Sequence, residues 1–247
     1  MGARGWHLAP MASADTETTG VDIEEDRILT AAVLDIDPTD GTVVTQSWVI
    51  DPGVDVPQAA ADVHGYTTER IRAEGRKDVA KAIAEIADAV MSAVFAGVPL
   101  IVYNAAFDLS LLDRETRRHG LEPFGDRLRA AMGCVVDPLC LDKAVDRYRR
   151  GKRTLTAVSE HYGVPVGDDA HGCVADALAA ARVAYVIAQR NPEIAEMPLH
   201  QLHEFQMRAR AEQARSFREY LTSQGKACDD VRDEWPVIPY EPEEATR

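Results

Sequence analysis

The chain has 247 residues, 46% of them hydrophobic, with 27 basic against 41 acidic side chains and a formal net charge of −14. That apolar fraction can bury the core of one α/β domain with an extension, which excludes disorder throughout. The charge repels polyanions at long range and excludes a general nucleic-acid coat, but not chemistry on nucleic acid at a site filled by divalent ions, which reverse the local field.

From the N-terminus, Ala12-Ser13-Ala14 has the small residues of a leader cleavage site. The stretch before it holds His7 and Pro10 and no continuous apolar segment, so no secretory leader is expected. Trp6 occupies the position where myristoylation needs Ser or Thr, and no apolar run is long enough to span a bilayer. Cys134, Cys140, Cys173 and Cys228 form no CxxC pair and no zinc spacing. Reduced thiols and a cytoplasmic location are the expectation, with no membrane partner.

A strand is expected over Leu8 to Ala14, with Pro10 tolerated near its start. Directly after it comes Asp15-Thr16-Glu17-Thr18-Thr19-Gly20. In extended chain residues i and i+2 point the same way, so Asp15 and Glu17 face one point, as paired ligands of a divalent metal do. Asp22, Glu24, Glu25 and Asp26 follow closely and read as a solvent-facing charged loop outside the site.

Ile28 to Asp37 and Thr42 to Ile50 are rich in Val, Ile, Thr and Ala around Pro38-Thr39-Asp40-Gly41, the pattern of a β-hairpin. Val79, Ile83, Ile86, Val90 and Val94 recur at helical spacing up to Gly97, and Val98 to Tyr103 reads as a buried strand. Phe107 to Arg118 is helical, Cys134 to Asp137 a short strand, and Leu155 to Tyr162 and Cys173 to Ala188 are helices. A mixed sheet flanked by helices follows. After Asn191-Pro192 a long charged helix is predicted over Pro198 to Ser223, with Met207, Ala211, Ala214 and Leu221 as its apolar stripe. Cys228 to Arg247 reads as an irregular acidic tail in which Trp235 is a candidate anchor.

Two further segments carry chemistry. Asn104-Ala105-Ala106-Phe107-Asp108 leaves a strand and opens a helix, placing Asp108 in a first turn that favours acidic side chains. In His171-Gly172-Cys173-Val174-Ala175-Asp176, the histidine lies in a polar loop and the aspartate in the following helix. Taken singly, each is as readily an ordinary helix acid or a solvated histidine.

Taken in order, DTETTG, NAAFDLSLL and HGCVAD resemble the three exonuclease motifs of the DEDD superfamily, histidine subclass. That family includes the epsilon proofreading subunit of bacterial DNA polymerase III and ribonuclease T. Val63-His64-Gly65-Tyr66-Thr67 resembles its HG-x-T segment, and the likeness covers roughly residues 8 to 190. The chain departs from the pattern at Ser13-Ala14, which replace bulkier apolar residues, at Tyr103, where histidine is frequent, and at Cys173, where alanine is common.

The resemblance implies an α/β, ribonuclease H-like mixed sheet with three antiparallel strands and then parallel strands. An exonuclease domain over 1–190 would be followed by a helical and irregular acidic extension over 191–247. It implies a 3′→5′ exonuclease in which Asp15, Glu17, Asp108 and Asp176 hold two Mg²⁺ or Mn²⁺ ions and His171 is the general base. Thr18, His64, Gly65, Thr67, Asn104 and Phe107 would border the terminal nucleotide, with Phe107 or Tyr66 stacking on a base. The expected products are nucleoside 5′-monophosphates from single-stranded DNA ends, in proofreading or repair. Single-stranded nucleic acid 3′ ends are the implied partner, and a DNA polymerase or a sliding clamp a further one.

Other readings stay open from the residues alone. They are an exoribonuclease trimming RNA or oligoribonucleotides, and a non-catalytic module that binds a polymerase or nucleic acid. The basic run Arg147, Arg149, Arg150, Lys152 and Arg153 reads first as a solvated loop and second as a phosphate contact. Gln201 to Phe205 faintly resembles a clamp-binding pentapeptide, but Glu204 stands at an apolar position and helix surface is preferred.

Overall fold

The structure is a computed structural model that describes residues 5–165 and 172–242. Its elements in chain order are β1 (Met11–Thr18), β2 (Ile28–Asp37), β3 (Thr42–Val49), α1 (Gln58–His64), α2 (Thr68–Glu74) and α3 (Val79–Phe95). Then come β4 (Leu100–Ile101), α4 (Ala105–Arg118), α5 (Phe124–Ala131), β5 (Val135–Val136), α6 (Pro138–Val145) and α7 (Leu155–Tyr162). The chain continues through α8 (Cys173–Arg190), α9 (Pro192–Ala195) and α10 (Leu199–Ser223).

The sheet order is β3-β2-β1-β4-β5. β1, β2 and β3 pair antiparallel, while β4 and β5 run parallel to β1, as expected of this chain. The central strand begins and ends later than the sequence predicts. Trp6–Leu8 is a turn of 3₁₀ helix, and pairing with β2 carries β1 through Asp15 and Glu17, opposite Ala32 and Thr30. A register shift between Glu17 and Thr18 then bends the strand end, as bulges commonly do beside functional sites.

Alternation along β1 divides the core. Ala12 and Ala14 join α3 and α4 on one face, and Met11 joins α8 on the other. On that second face Ser13 Oγ lies 2.7 Å from the Ala177 carbonyl of α8 and 3.1 Å from that of Ile101, and it is wholly buried. The small hydroxyl that departs from the family pattern therefore ties α8 directly to the strand.

The short β4 and β5 compensate by burial: Leu100, Ile101, Val135 and Val136 are each fully enclosed, at roughly 1.5–3 kcal/mol per large side chain. β5 is a sheet edge, and α10 covers it. Val135 N–H donates to His203 Nδ1 at 3.2 Å, and Gln206 Nε2 donates to the Val135 carbonyl at 3.0 Å. Both outward backbone groups are thus satisfied by side chains, which removes an edge open to pairing. This arrangement corrects the predicted stripe on α10 in part, keeping Ala214 of its four members buried. Leu202, Gln206 and Ala214 face inward, whereas Met207 is 45% exposed.

The acidic tail is irregular but docked. Trp235 is buried, and Arg114 of α4 donates to the Ile238 and Pro239 carbonyls while pairing with Glu24.

Candidate active site

Asp15 and Glu17 continue the Ser13 row of β1, and Asp176 directly precedes Ala177 in the first turn of α8. The contact that seats α8 on the strand therefore delivers the third carboxylate to the first two. Ligand oxygens of Asp15, Glu17 and Asp176 all lie within 4.8 Å of one another, and all three residues are partly exposed.

Asp108 arrives from the opposite layer. It is buried in the first turn of α4, and its Oδ1 accepts from Thr16 N–H at 3.2 Å and Thr16 Oγ1 at 2.7 Å. Thr16 is the residue between the two strand carboxylates, pointing to the other face. The four acids thus surround one strand end from both sides, three converging on one point and Asp108 held beside them.

The electrostatics are those of a cation site. Burial, then the charges of Asp108, Glu17 and Asp176, raises the Asp15 carboxyl well above its usual range. Burial, then Asp176 and Asp108, raises Glu17 to about 8. Asp108 is raised to about 7 by burial, a rise that the Thr16 hydrogen bonds oppose. Four carboxylates with this mutual repulsion favour a bound divalent cation, and their hard oxygens suit Mg²⁺ or Mn²⁺ chemistry. The donor set fits such an ion.

Local sequence explains the scaffold around these acids. A Cβ at Gly20 would meet Asp26 Oδ2 at 2.5 Å, so any larger residue there displaces the Asp26 carboxylate. Asp26 then accepts from Thr19 Oγ1 and Asp22 N–H, and Glu24 pairs with Arg114. The acidic loop is thus tied to itself and to α4, outside the carboxylate group. Asn104 adopts a left-handed conformation (φ 58°) before α4. Its N–H and that of Ala105 donate to the buried Asp137, which also accepts from Leu139 and Cys140 N–H and from Trp235 Nε1. Asp137 therefore fixes the start of α4, one turn before Asp108. The sequence reading missed it, although an Asp before Pro138 is a recognisable helix cap.

The remaining predicted residues divide by what they touch. Thr18 Oγ1 donates to the Gly20 carbonyl, and His64 Nε2 donates to the Thr18 carbonyl at 3.1 Å. His64 Nδ1 accepts from Tyr66 N–H, and burial lowers the pKa of the ring against the opposing hydrogen bond to Thr18. Both ring nitrogens thus clamp the α1–α2 turn to the end of β1. Gly65 makes that turn with φ 75°, and Thr67 caps α2 through Arg70 N–H. Asn104 is exposed, while Phe107 packs partly on the core and partly lines an open groove of about 770 Å³. His171 lies outside the described residues.

The basic run is largely committed elsewhere. Arg149 and Arg153 converge on the buried Asp142, and Arg147 pairs with Glu212 of α10. Only Arg150 and Lys152 of that run are exposed without such a partner among the described residues. Leu202 is fully buried, so Gln201 to Phe205 has no free apolar anchor at that position. Burial pushes the Cys173 thiol up to about 12, leaving it an inert packing group.

Comparison with known proteins gives a profile match to the exonuclease family (RNase_T) over residues 13–184, a span containing all four carboxylates. The chain belongs to this exonuclease family. A PolC-type DNA polymerase III from Lacticaseibacillus paracasei is 25% identical over 193 residues, 77% of this chain and 12% of that polymerase. Escherichia coli exonuclease I, solved with a dT13 oligonucleotide, superposes with a TM-score of 0.61 at 19% identity. That match covers 75% of this chain and 42% of the other. Exonuclease I from Methylocaldum szegediense gives 0.59 at 21% identity, over 87% and 45% of the two chains. The chain thus spans less than half of each of these relatives. The structural likeness establishes the ribonuclease H-like exonuclease fold, with the carboxylate group at the end of its central strand. Among the described residues no helix is long and apolar enough to cross a membrane.

Proposed function

We propose that this chain is a metal-dependent 3′→5′ exonuclease that releases nucleoside 5′-monophosphates from single-stranded DNA ends in proofreading or repair. The observation that carries this reading is the convergence of Asp15, Glu17 and Asp176 within 4.8 Å in a member of the exonuclease family. Single-stranded DNA is favoured as substrate because E. coli exonuclease I has been solved with such oligonucleotides, in one case with a zinc ion bound. The likeness to a PolC-type polymerase supports a polymerase as partner.

Asp15, Glu17 and Asp176, with Asp108 beside them, are the proposed holders of two Mg²⁺ or Mn²⁺ ions. When bound, such ions supply the positive charge that lowers the pKa of an attacking water and stabilises a leaving 3′-oxygen. The side chains do the rest. Thr16 keeps Asp108 oriented and more acidic than burial alone allows. His171 takes the proton of the attacking water, since imidazole titrates near neutrality. His64, Gly65 and Thr67 shape the turn beside the terminal nucleotide, with Thr18 and Asn104 at its edges and Phe107 offering a ring face. The catalytic unit is residues 1–190 and the extension 191–247, in a cytoplasmic protein.

The test is digestion of 5′-labelled single-stranded DNA, mismatched duplex and RNA with Mg²⁺ or Mn²⁺, followed by EDTA. Shortening from the 3′ end, fastest on single-stranded DNA and abolished by EDTA, is expected. A ladder that survives EDTA refutes the metal mechanism, and preference for RNA refutes the substrate assignment. Asp15→Ala should abolish cleavage while circular dichroism remains native. Retained activity would remove Asp15 from the site.

A further inference from the structure

In a chain of net charge −14, cations inside the fold have an abundance of possible partners. Lys143 of α6 and Arg210 of α10 stand apart. Among the described residues they are the only partly buried Lys or Arg side chains with neither a hydrogen bond nor an ion pair. Arg210 Nε is moreover fully shielded from solvent and unpartnered. A buried polar donor left unmade is costly, which points to a ligand that completes it.

The two side chains line one recess, together with Asn104, Ala106, Asp137 and Trp235. Its volume of about 10 Å³ matches a single water-sized atom. Asp137 is the acid among the residues lining the recess, but its oxygens already receive four backbone donors and the Trp235 indole. Asn104, Ala106 and Arg210 also line the larger groove of about 770 Å³, which the partly buried Phe107 borders. The recess is therefore a side pocket of that groove, opening beside the first turn of the helix that carries Asp108.

We propose that Lys143 and Arg210 form a binding site for a phosphodiester of the substrate strand, upstream of the scissile bond. One anionic oxygen enters the recess and the rest of the phosphate lies in the groove. This assignment rests on the exonuclease reading and deepens it, because it makes the C-terminal helix α10 part of the substrate path. Charge around the groove sharpens the location. Asp22, Glu24, Asp229 and Asp230 also line it and repel a strand, and Arg232 is a further but solvent-exposed cation there, so the desolvated attraction lies where Lys143 and Arg210 meet at the recess. Burial, and then the like charge of Arg210, lowers the Lys143 pKa from its ordinary value, penalties that a bound anion relieves.

The experiment compares the full chain with Lys143→Gln/Arg210→Gln on a dinucleotide, which has no upstream phosphate, and on a ten-nucleotide DNA strand. KM for the long strand should rise about tenfold with kcat unchanged, and the dinucleotide kcat/KM should stay within twofold. The salt dependence of log KM should become shallower by about 0.7, the slope expected for one phosphate that the protein no longer neutralises. The charge-preserving pair Lys143→Arg/Arg210→Lys should restore most of the affinity. Unchanged KM and salt slope on the long strand, or an equal loss on the dinucleotide, overturns the proposal. Should the double variant fail to fold, Arg210→Gln alone is read in the same way. If the wild type digests no strand, the exonuclease reading fails separately, and anisotropy of a labelled strand still tests the site. Binding that the substitutions leave unweakened then overturns it.

Discussion

Glu17→Gln should make the protein more stable in the absence of metal while removing its response to metal. The Glu17 carboxyl is raised from 4.5 to about 8 by burial and by Asp176 and Asp108. Full ionisation above pH 8 therefore costs the fold an upper bound of about 5 kcal/mol. The side chain is partly exposed, so solvent screening and relaxation reduce this to about 1–2 kcal/mol. For a chain of this size that is a gain of roughly 2–8 °C in melting temperature for the amide variant at pH 8.5 in EDTA. The sign follows from linkage: between about pH 4.5 and 8 the folded state holds more protons than the unfolded state. The contribution of Glu17 to wild-type stability is then most favourable below about 4.5 and falls as pH rises to about 8, and the advantage of the variant grows over the same window. Adding Mn²⁺ at a hundred times its dissociation constant should return about 2.7 kcal/mol to the wild type and much less to the variant. Thermal melts at pH 5, 7 and 8.5, with EDTA or Mn²⁺, read all of this. A variant that melts no higher than wild type at pH 8.5 in EDTA, or that gains equally from Mn²⁺, refutes the account of the site as a repulsive carboxylate group awaiting a cation.

Two further substitutions probe the scaffold. Thr16→Val removes the hydroxyl that donates to Asp108 at 2.7 Å, so Asp108 should titrate above its present value of about 7. The acid limb of the pH–activity profile should shift upward, with a stability loss of about 1.5–3 kcal/mol in chemical denaturation; an unmoved limb separates Asp108 from the chemistry. Asp137→Asn places amide hydrogens against five donors in a buried site, with an expected loss of roughly 2–4 kcal/mol and a disproportionate fall in activity through the α4 start. A variant that loses stability yet keeps full kcat would show that Asp137 does not position Asp108.

Much of this protein was readable from local pattern. The hairpin strands β2 and β3 stand where alternating β-branched residues and Pro38-Thr39-Asp40-Gly41 place them, and α3 follows its three-to-four-residue apolar period. The strand carrying Asp15 and Glu17 was legible as an i, i+2 pair, though its true ends were set by pairing with β2. The short helices α1, α2, α5, α6 and α9 were not predicted, whereas α7, also only eight residues long, was. The inward face of α10 was legible only through Ala214, because a buried glutamine carries no apolar signal. Gln206 faces inward for the backbone groups of β5 and Asp137, partners about seventy residues away.

Sequence by itself determined the chemical inventory: four acids in family order, separated by elements of the correct type, are a local property of residue identity and period. Tertiary structure decided their arrangement. Three acids converge because Ser13 seats α8 on β1, while Asp108 reaches them from the other layer through Thr16. It also decided that Arg149 and Arg153 are committed to Asp142, whereas Lys143 and Arg210, unremarkable in the sequence, are left unpaired beside the groove. The physical reason is the same in each case. A charge acquires its role from burial and from which partners the fold brings within reach, and neither is encoded in its neighbours along the chain.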